Sequence, residues 1–511
     1  MKVLIKTIEI TVQYTDMFFE RVLKNISTIL SENKLVTAIV TTAVFLRFYR
    51  LEEFITFLGD QGRDAIVVKR IITFEHFPAI GPSMSVGQVF LGPFFYYLMA
   101  PFLFLFNFNP FGMAFGVALL SIIGLLAAYI ILRNLIGKNA AIIFTAIASF
   151  SSVLIEQSRF AWNPNLLPIT SFFTLYFFYR MLKDKKIINA SIFGSLLSIS
   201  LQLHYLAIFM FVPISIIGGI ALIQSSPKIL LLKNISISIF AFLFFSLPLI
   251  LFDLKHNFLN AKNFLELFSS ENVVSKSSFL DRLLETNQQF LSHIFRIELD
   301  KTIALILVAA LLLALAFAKE RILTKNLFVR IHLVSIVSFL LLFSFLTSSR
   351  HPHYYNATYL SFFVILSVFV AQIVRKNNIL KFTTIFFIGT YIVLNFQRYV
   401  FFAKEGNRQL DRAQTIAKSI LARSPSSPYQ LTAIPFTEID GHVRYYLEIL
   451  GVRPLPEDTT VEPKELYVLC YEKDCPILGH PQWQIASFKN ATIETMWETL
   501  GIKIYKLVHA Q

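Results

Sequence analysis

The chain has 511 residues, of which 55% are hydrophobic and only 15% charged, with 54 phenylalanines. A soluble domain carries about 25% charged residues, so this composition excludes a water-soluble enzyme of two or three domains. The net charge of +14 would suggest nucleic acid in a soluble protein, but the excess sits in short loops between apolar runs, which is the pattern of orientation in a membrane.

The first segment, 1–33, lacks the compact apolar core and small-residue cleavage site of a signal peptide, and reads as an amphipathic segment on the cytoplasmic face. Span 34–50 follows, then a long stretch over 51–111. Further apolar runs fall near 112–132, 139–156, 165–181, 187–204, 206–224, 235–252, 302–318, 327–347, 356–373 and 382–402. The expected fold class is an α-helical polytopic membrane protein of about eleven spans, since a bilayer core is crossed by roughly 20 apolar residues. The expected domains are 1–33, a transmembrane catalytic domain over 34–403, and a soluble α/β domain over 404–511.

Loop charges set the sidedness. Arg133 and Lys138, the Arg180 to Lys186 cluster, Lys228 and Lys233, Lys319 to Lys325, and Arg375 to Lys381 all fall on one side if the spans alternate. The positive-inside rule makes that side cytoplasmic. The run 89–108 is apolar enough to span, but counting it would invert every later loop. It is therefore expected to lie in the outer interface, with GRDAIVVKRIITFEHF before it as a second surface helix. Alternating runs such as YQLTAI, ELYVLCY and KIYKLVH, with helical DRAQTIAKSILAR and GHVRYYLEILG, give the tail its α/β character. Trp483 and Trp497 are expected in its core, the alternative being that they stack on a saccharide. Cys470 and Cys475 are the only cysteines. Outside the cytoplasm such a close pair suits a disulfide, the alternative being two free thiols.

The first outer loop contains FLGDQGRDA, with Asp60, Gln61, Arg63 and Asp64. A helix starting near Gly59 puts both acids on one face. A carboxylate partly desolvated at a membrane surface has a raised pKa and is a better base for deprotonating a hydroxyl. The structural alternative is a helix cap by Asp60, with Asp64 paired to Arg63 or Lys69.

After this loop come GPFFYYL with Tyr96 and Tyr97, a basic cytoplasmic turn RNLIGKN, the turn SRFAWNPNLLP with Arg159 and Asn163, and late HPHYYNATY. This order resembles the GT-C superfamily of lipid-dependent glycosyltransferases, in particular the branch of protein O-mannosyltransferases, aminoarabinose transferases and Rgt-type enzymes. The likeness covers about 35–400. Relatives have an Asp-Glu pair where this chain has Asp60-Gln61, and often Asp where it has Asn163 and Asn165, so Asp64 is the candidate for a second acid.

The resemblance implies transfer of a sugar from a polyprenyl-phosphate donor to a hydroxyl acceptor on the extracytoplasmic face of the plasma (inner) membrane, inverting, with Asp60 as base. It also implies no obligatory metal; a site for one would want several carboxylate oxygens. The acceptor class is open among glycan, lipid and protein, and no nucleic-acid partner is expected. The leaving phosphate needs donors on the same face. The candidates are Arg159, His204, Lys255, His256, Arg350, His353 and Tyr354, with Gln61, Arg63, Tyr96, Tyr97 and Asn163 lining the site. Each has a bland alternative: Arg159 could snorkel to the interface, and HPHYYNATY could be an aromatic belt. The rival functions are a transporter or flippase of a lipid-linked saccharide and a membrane scaffold. The notable charges gather at outer span ends rather than at the bilayer midplane, which favours surface chemistry over a pathway.

Overall fold

A computed structural model describes residues 33–84, 88–269, 278–316, 326–347, 349–374, 378–435 and 437–510. The amphipathic segment expected over 1–33 lies outside the described residues except for Asn33, whose side chain caps the first helix by accepting from the Val36 amide.

Among the described residues, four helices are long and apolar enough to cross a bilayer: Phe111–Leu135, Tyr205–Gln224, Lys228–Lys255 and Ile379–Phe396. Lys138–Phe150 and Ser152–Ser158 form a fifth if read as one span bent by 60°. Other expected spans appear as shorter apolar helices, including Ile187–Leu203, Leu327–Phe343 and Tyr359–Val374. Large apolar side chains point outward from several of these helices; Phe240 is 72% exposed, Phe382 72% and Phe386 70%. Lipid, not water, suits such a surface.

Small residues let the helices approach closely. A methyl group added to Gly194 would meet the Ser238 carbonyl oxygen at 2.0 Å, and the Ser238 hydroxyl donates to the Ala190 carbonyl at 3.0 Å. This is the backbone proximity that packs helices in lipid. The bend after Phe150 frees backbone carbonyls, and buried hydroxyls take them up. Tyr391 donates to the Ile147 carbonyl and Tyr399 to that of Phe150, while Asn395 Oδ1 accepts from both the amide and the hydroxyl of Ser152.

The 51–111 stretch holds the short helix Leu51–Phe54 and two longer ones, Gly59–Ile72 and Phe94–Leu105. The tail is a small α/β unit with strands β1 (Tyr429–Ile434), β2 (Glu465–Cys470), β3 (Ala491–Thr499) and β4 (Ile502–His509) in the order β1-β2-β4-β3. β1 and β2 are parallel, linked through the Gly441–Ile449 helix, and β4 is antiparallel to both its neighbours. Leu500 and Gly501 both take positive φ in the β3–β4 hairpin, the conformation a two-residue turn needs. β3 was not legible as a strand, because most of its residues are exposed or half-buried. Trp483 is 70% exposed rather than in the core, whereas Trp497 is half-buried with its indole N–H donating to Ser419. Cys470 and Cys475 are disulfide-bonded.

The tail does not stand apart from the first loop. The Arg408 amide donates to the Glu53 carbonyl, the Phe57 amide to the Gln409 side chain, and the Tyr445 hydroxyl to the Phe108 carbonyl. The buried Glu448 carboxylate meets Lys69 at 3.1 Å and Arg70 at 2.9 Å. The Gly59–Ile72 helix is thus held between the transmembrane bundle and the α/β unit.

Candidate functional site

The Gly59–Ile72 helix begins where Leu58 turns extended, and the Leu58 amide donates to Gln61 Oε1 at 3.1 Å. The capping role considered for Asp60 therefore falls to Gln61. Asp60 sits uncommitted to capping in the first turn, where a negative charge suits the helix N-terminus. Arg63 bridges the two acids of this helix, at 3.0 Å to Asp60 and 2.9 Å to Asp64.

The two acids differ in access. The Asp60 side chain is 41% exposed, and that of Asp64 is completely buried. Tyr96 donates its hydroxyl to Asp64 Oδ1 at 3.0 Å, while Asp64 Oδ2 has no hydrogen-bond partner among the described residues. Burial pushes the Asp64 carboxyl up, against the opposing pull of Arg63. Asp64 anchors Arg63 and Tyr96 and does not face the open site.

A cavity of about 90 Å³ opens above Asp60 and Arg63. Its lining comes from the first loop (Pro82, Ser83, Met84, Leu91), the 162–164 turn (Trp162, Asn163, Pro164), the 204–205 turn (His204, Tyr205) and the late turn (His353, Tyr354). Ring contacts knit the far wall. His353 lies 4.7 Å from Trp162 and 4.4 Å from Tyr354 between ring centroids, and His204 stacks on Tyr205 at 4.8 Å. His204 Nδ1 accepts from the Leu206 amide at 3.3 Å. A neutral His204 therefore carries its proton on Nε2 as a donor. Burial pushes His353 down to about 4, so its imidazole is neutral at neutral pH. Asn163 donates to the Leu203 carbonyl, tying two of the turns together.

A second cavity of about 340 Å³ also opens on Asp60. It is bounded by Thr56, Leu58, Gly59, Gln61, Phe160 and Trp162, and by Thr437, Glu438, Ile439 and His442 of the α/β unit. Asp60 and Trp162 line both cavities.

Of the residues singled out in the sequence, Asp60, Arg63, Asn163, His204, His353 and Tyr354 meet at the first cavity, and Gln61 lines the second. Tyr97 donates to the Pro78 carbonyl, outside both. Four phosphate-binding candidates sit elsewhere. Arg159 is buried, donating to the carbonyls of Leu46, Arg47 and Tyr49 and lying over the Phe401 ring. It satisfies the carbonyls that end the first helix. Arg350 is buried over Phe343 with a hydrogen bond to Thr286, and Lys255 and His256 are exposed at the end of the Lys228–Lys255 helix. Trp162, Tyr205 and the 437–442 segment were missed. Trp162 lies inside the SRFAWNPNLLP turn between two chosen residues, and that was its one sequence signal. Among the described residues, no three His, Cys, Asp or Glu cluster closely enough to hold a metal ion.

Residues 91–252 match the family described as dolichyl-phosphate-mannose-protein mannosyltransferase. No curated protein matches the chain in sequence. Among solved structures, the chain is similar to ArnT from Cupriavidus metallidurans bound to undecaprenyl phosphate, with TM-score 0.62 and 11% identity over 92% of this chain and 97% of that one. The apo form of the same ArnT gives 0.60 at 11% identity over 93% and 98%. An Archaeoglobus fulgidus oligosaccharyltransferase tethered to an acceptor peptide gives 0.46 at 13% identity, over 82% of this chain and 63% of that one. The architecture is thus that of the GT-C class, a multi-pass membrane bundle with a small sheet domain at its end. With the match over 91–252, the protein is a membrane glycosyltransferase with that fold.

Proposed function

We propose that this glycosyltransferase moves a sugar from a polyprenyl-phosphate donor to a hydroxyl acceptor on the extracytoplasmic face, with inversion. The reading keeps the topology of about eleven spans, with the α/β domain outside and the enzyme in the plasma membrane. All the segments that line the two cavities come from loops expected on that one face, which supports this orientation.

The acceptor oxygen attacks the anomeric carbon and its proton passes to Asp60. The bond from the anomeric carbon to the phosphate oxygen breaks, and the phosphate leaves with the electron pair. Asp60 is the one carboxylate, and Arg63 the one permanent cation, among the described lining residues of the first cavity. That pairing is the observation that carries the proposal. Arg63, with the neutral His204, His353 and Tyr354 as hydrogen-bond donors, receives the leaving phosphate. Asp64 and Tyr96 position Arg63. The similar ArnT structure holds undecaprenyl phosphate, which supports a polyprenyl carrier here.

Mass spectrometry of lipid co-purified with the full chain tests the donor. A polyprenyl phosphate or its sugar adduct is expected. Absence of both, with added polyprenyl-phosphate sugar left unconsumed, would contradict the proposal.

A further inference from the structure

The second cavity has a composition that the donor side does not need. Of its lining it shares only Asp60 and Trp162 with the first cavity, so a group seated there reaches the base through a wall of its own. Trp162 and Phe160 present nearly parallel rings, 6.0 Å apart between centroids at 23°. Opposite them, Thr437, Glu438 and His442 come from the α/β domain, with Gln61 at the edge. His442 is 8% exposed; its Nε2 lies 3.3 Å from the Tyr471 hydroxyl. The ring also lies near the Ile439 backbone, and among the described residues Nδ1 has no well-formed hydrogen bond.

Resting on the function proposed above, we infer that this second cavity is the acceptor subsite and that it takes an uncharged glycan. The argument is chemical. Flat aromatic faces accept the apolar face of a sugar ring, while a carboxylate, a hydroxyl and an imidazole hydrogen-bond its hydroxyls. No lysine or arginine is among the described lining residues, whereas Asp60 and Glu438 are both acidic. A phosphate-bearing lipid acceptor would enter against two carboxylates with no cation among the described residues lining this cavity, since Arg63 meets Asp60 from the first one. At about 340 Å³ the space suits a saccharide terminus. The α/β domain is therefore a specificity element as well as a clamp on the Gly59–Ile72 helix.

The test uses the full chain in detergent, carrying Asp60→Asn so that no turnover occurs. The probes are neutral oligosaccharides built of arabinose, mannose or glucose, a phosphorylated glycolipid, and a serine-rich peptide. Trp162 is one of three tryptophans, so its emission is a direct reporter, identified by its loss in Trp162→Phe. At least one neutral oligosaccharide is expected to change that emission saturably. Adding Glu438→Ala should weaken this binding about tenfold, the scale of one charge-assisted hydrogen bond. Response to the glycolipid or peptide but to no neutral oligosaccharide would overturn the inference, as would silence toward all probes or unchanged binding in the Glu438→Ala protein. Because the binding needs no turnover, its failure is distinguishable from failure of the transferase reading, which donor consumption by the unmodified chain reports. In that active chain, Glu438→Ala should raise KM for the oligosaccharide about tenfold and leave KM for the donor in place.

Discussion

Gly62, two residues beyond Asp60, lies directly against Gly441 of the α/β domain: a methyl group added at Gly62 would come within 2.2 Å of the Gly441 carbonyl carbon and of the His442 amide nitrogen. The obstacle is backbone on both sides, so it cannot move aside as a side-chain tip can. Gly62→Ala should force the domain off the helix, at an overpacking cost of about 1–3 kcal/mol. Limited proteolysis should then cut the α/β domain faster, and sugar transfer should fall at least about tenfold. Gly219→Ala, with nothing within 4 Å of the added carbon, is the matched control and should change neither.

Glu448 is the ionic half of the same contact. Burial pushes its carboxyl up, but Arg70, Lys69 and Arg453 outweigh burial and hold it below the usual range. A carboxylate whose folded pKa is depressed adds stability that is present above its unfolded value, near 4.3, and is lost as pH falls through the folded value. Nearby Glu75, bonded to Lys69, is pulled down to about 2. Docking of the domain should therefore weaken on acidification from about pH 4.3 toward 2. Proteolytic susceptibility across that range checks it, and Glu448→Gln should show the loosened state already at pH 7.

His353 titrates the other way round in cause but with the same sign. Burial lowers it to about 4, below the ordinary value near 6.5. Between those values the unfolded chain binds a proton that the folded chain refuses. Stability therefore falls as pH drops from about 6.5 to about 4, and the contribution is gone below that. Thermal unfolding measured over this window should show the slope, and His353→Gln should reduce it.

Arg159 separates two readings of one residue. As a phosphate ligand its loss would raise KM for the donor. The structure gives its guanidinium to three backbone carbonyls at the end of the first helix. Arg159→Lys should therefore lower stability by about 2–4 kcal/mol, since buried carbonyls lose their donors. KM for the donor in the surviving folded fraction should stay near that of the unmodified enzyme. Melting curves and donor titration together decide it.

Much of this was legible in the sequence because it depends on local pattern. YQLTAI coincides with β1, and the apolar runs near 112–132 and 187–204 with helices Phe111–Leu135 and Ile187–Leu203. Asp60, His204 and His353 were placed together by sidedness alone, since loop charge reports which end of a span a residue occupies. The unread features depend on partners far away in the chain. Arg159 is spoken for by carbonyls about 110 residues earlier, and Gly62 meets Gly441 across almost 380. Nothing local marks either. β3 escaped for a different reason: an exposed strand buries too little to show a period of two.

Asp60→Asn is the most direct test of the whole account. The substitution keeps the side chain's size and its hydrogen-bonding reach toward Arg63 but removes the base. Transfer from a polyprenyl-phosphate sugar to a hydroxyl acceptor should fall by about 10²–10⁴-fold, with donor binding retained. Undiminished transfer by the Asp60→Asn enzyme would contradict the assignment of Asp60 as the base.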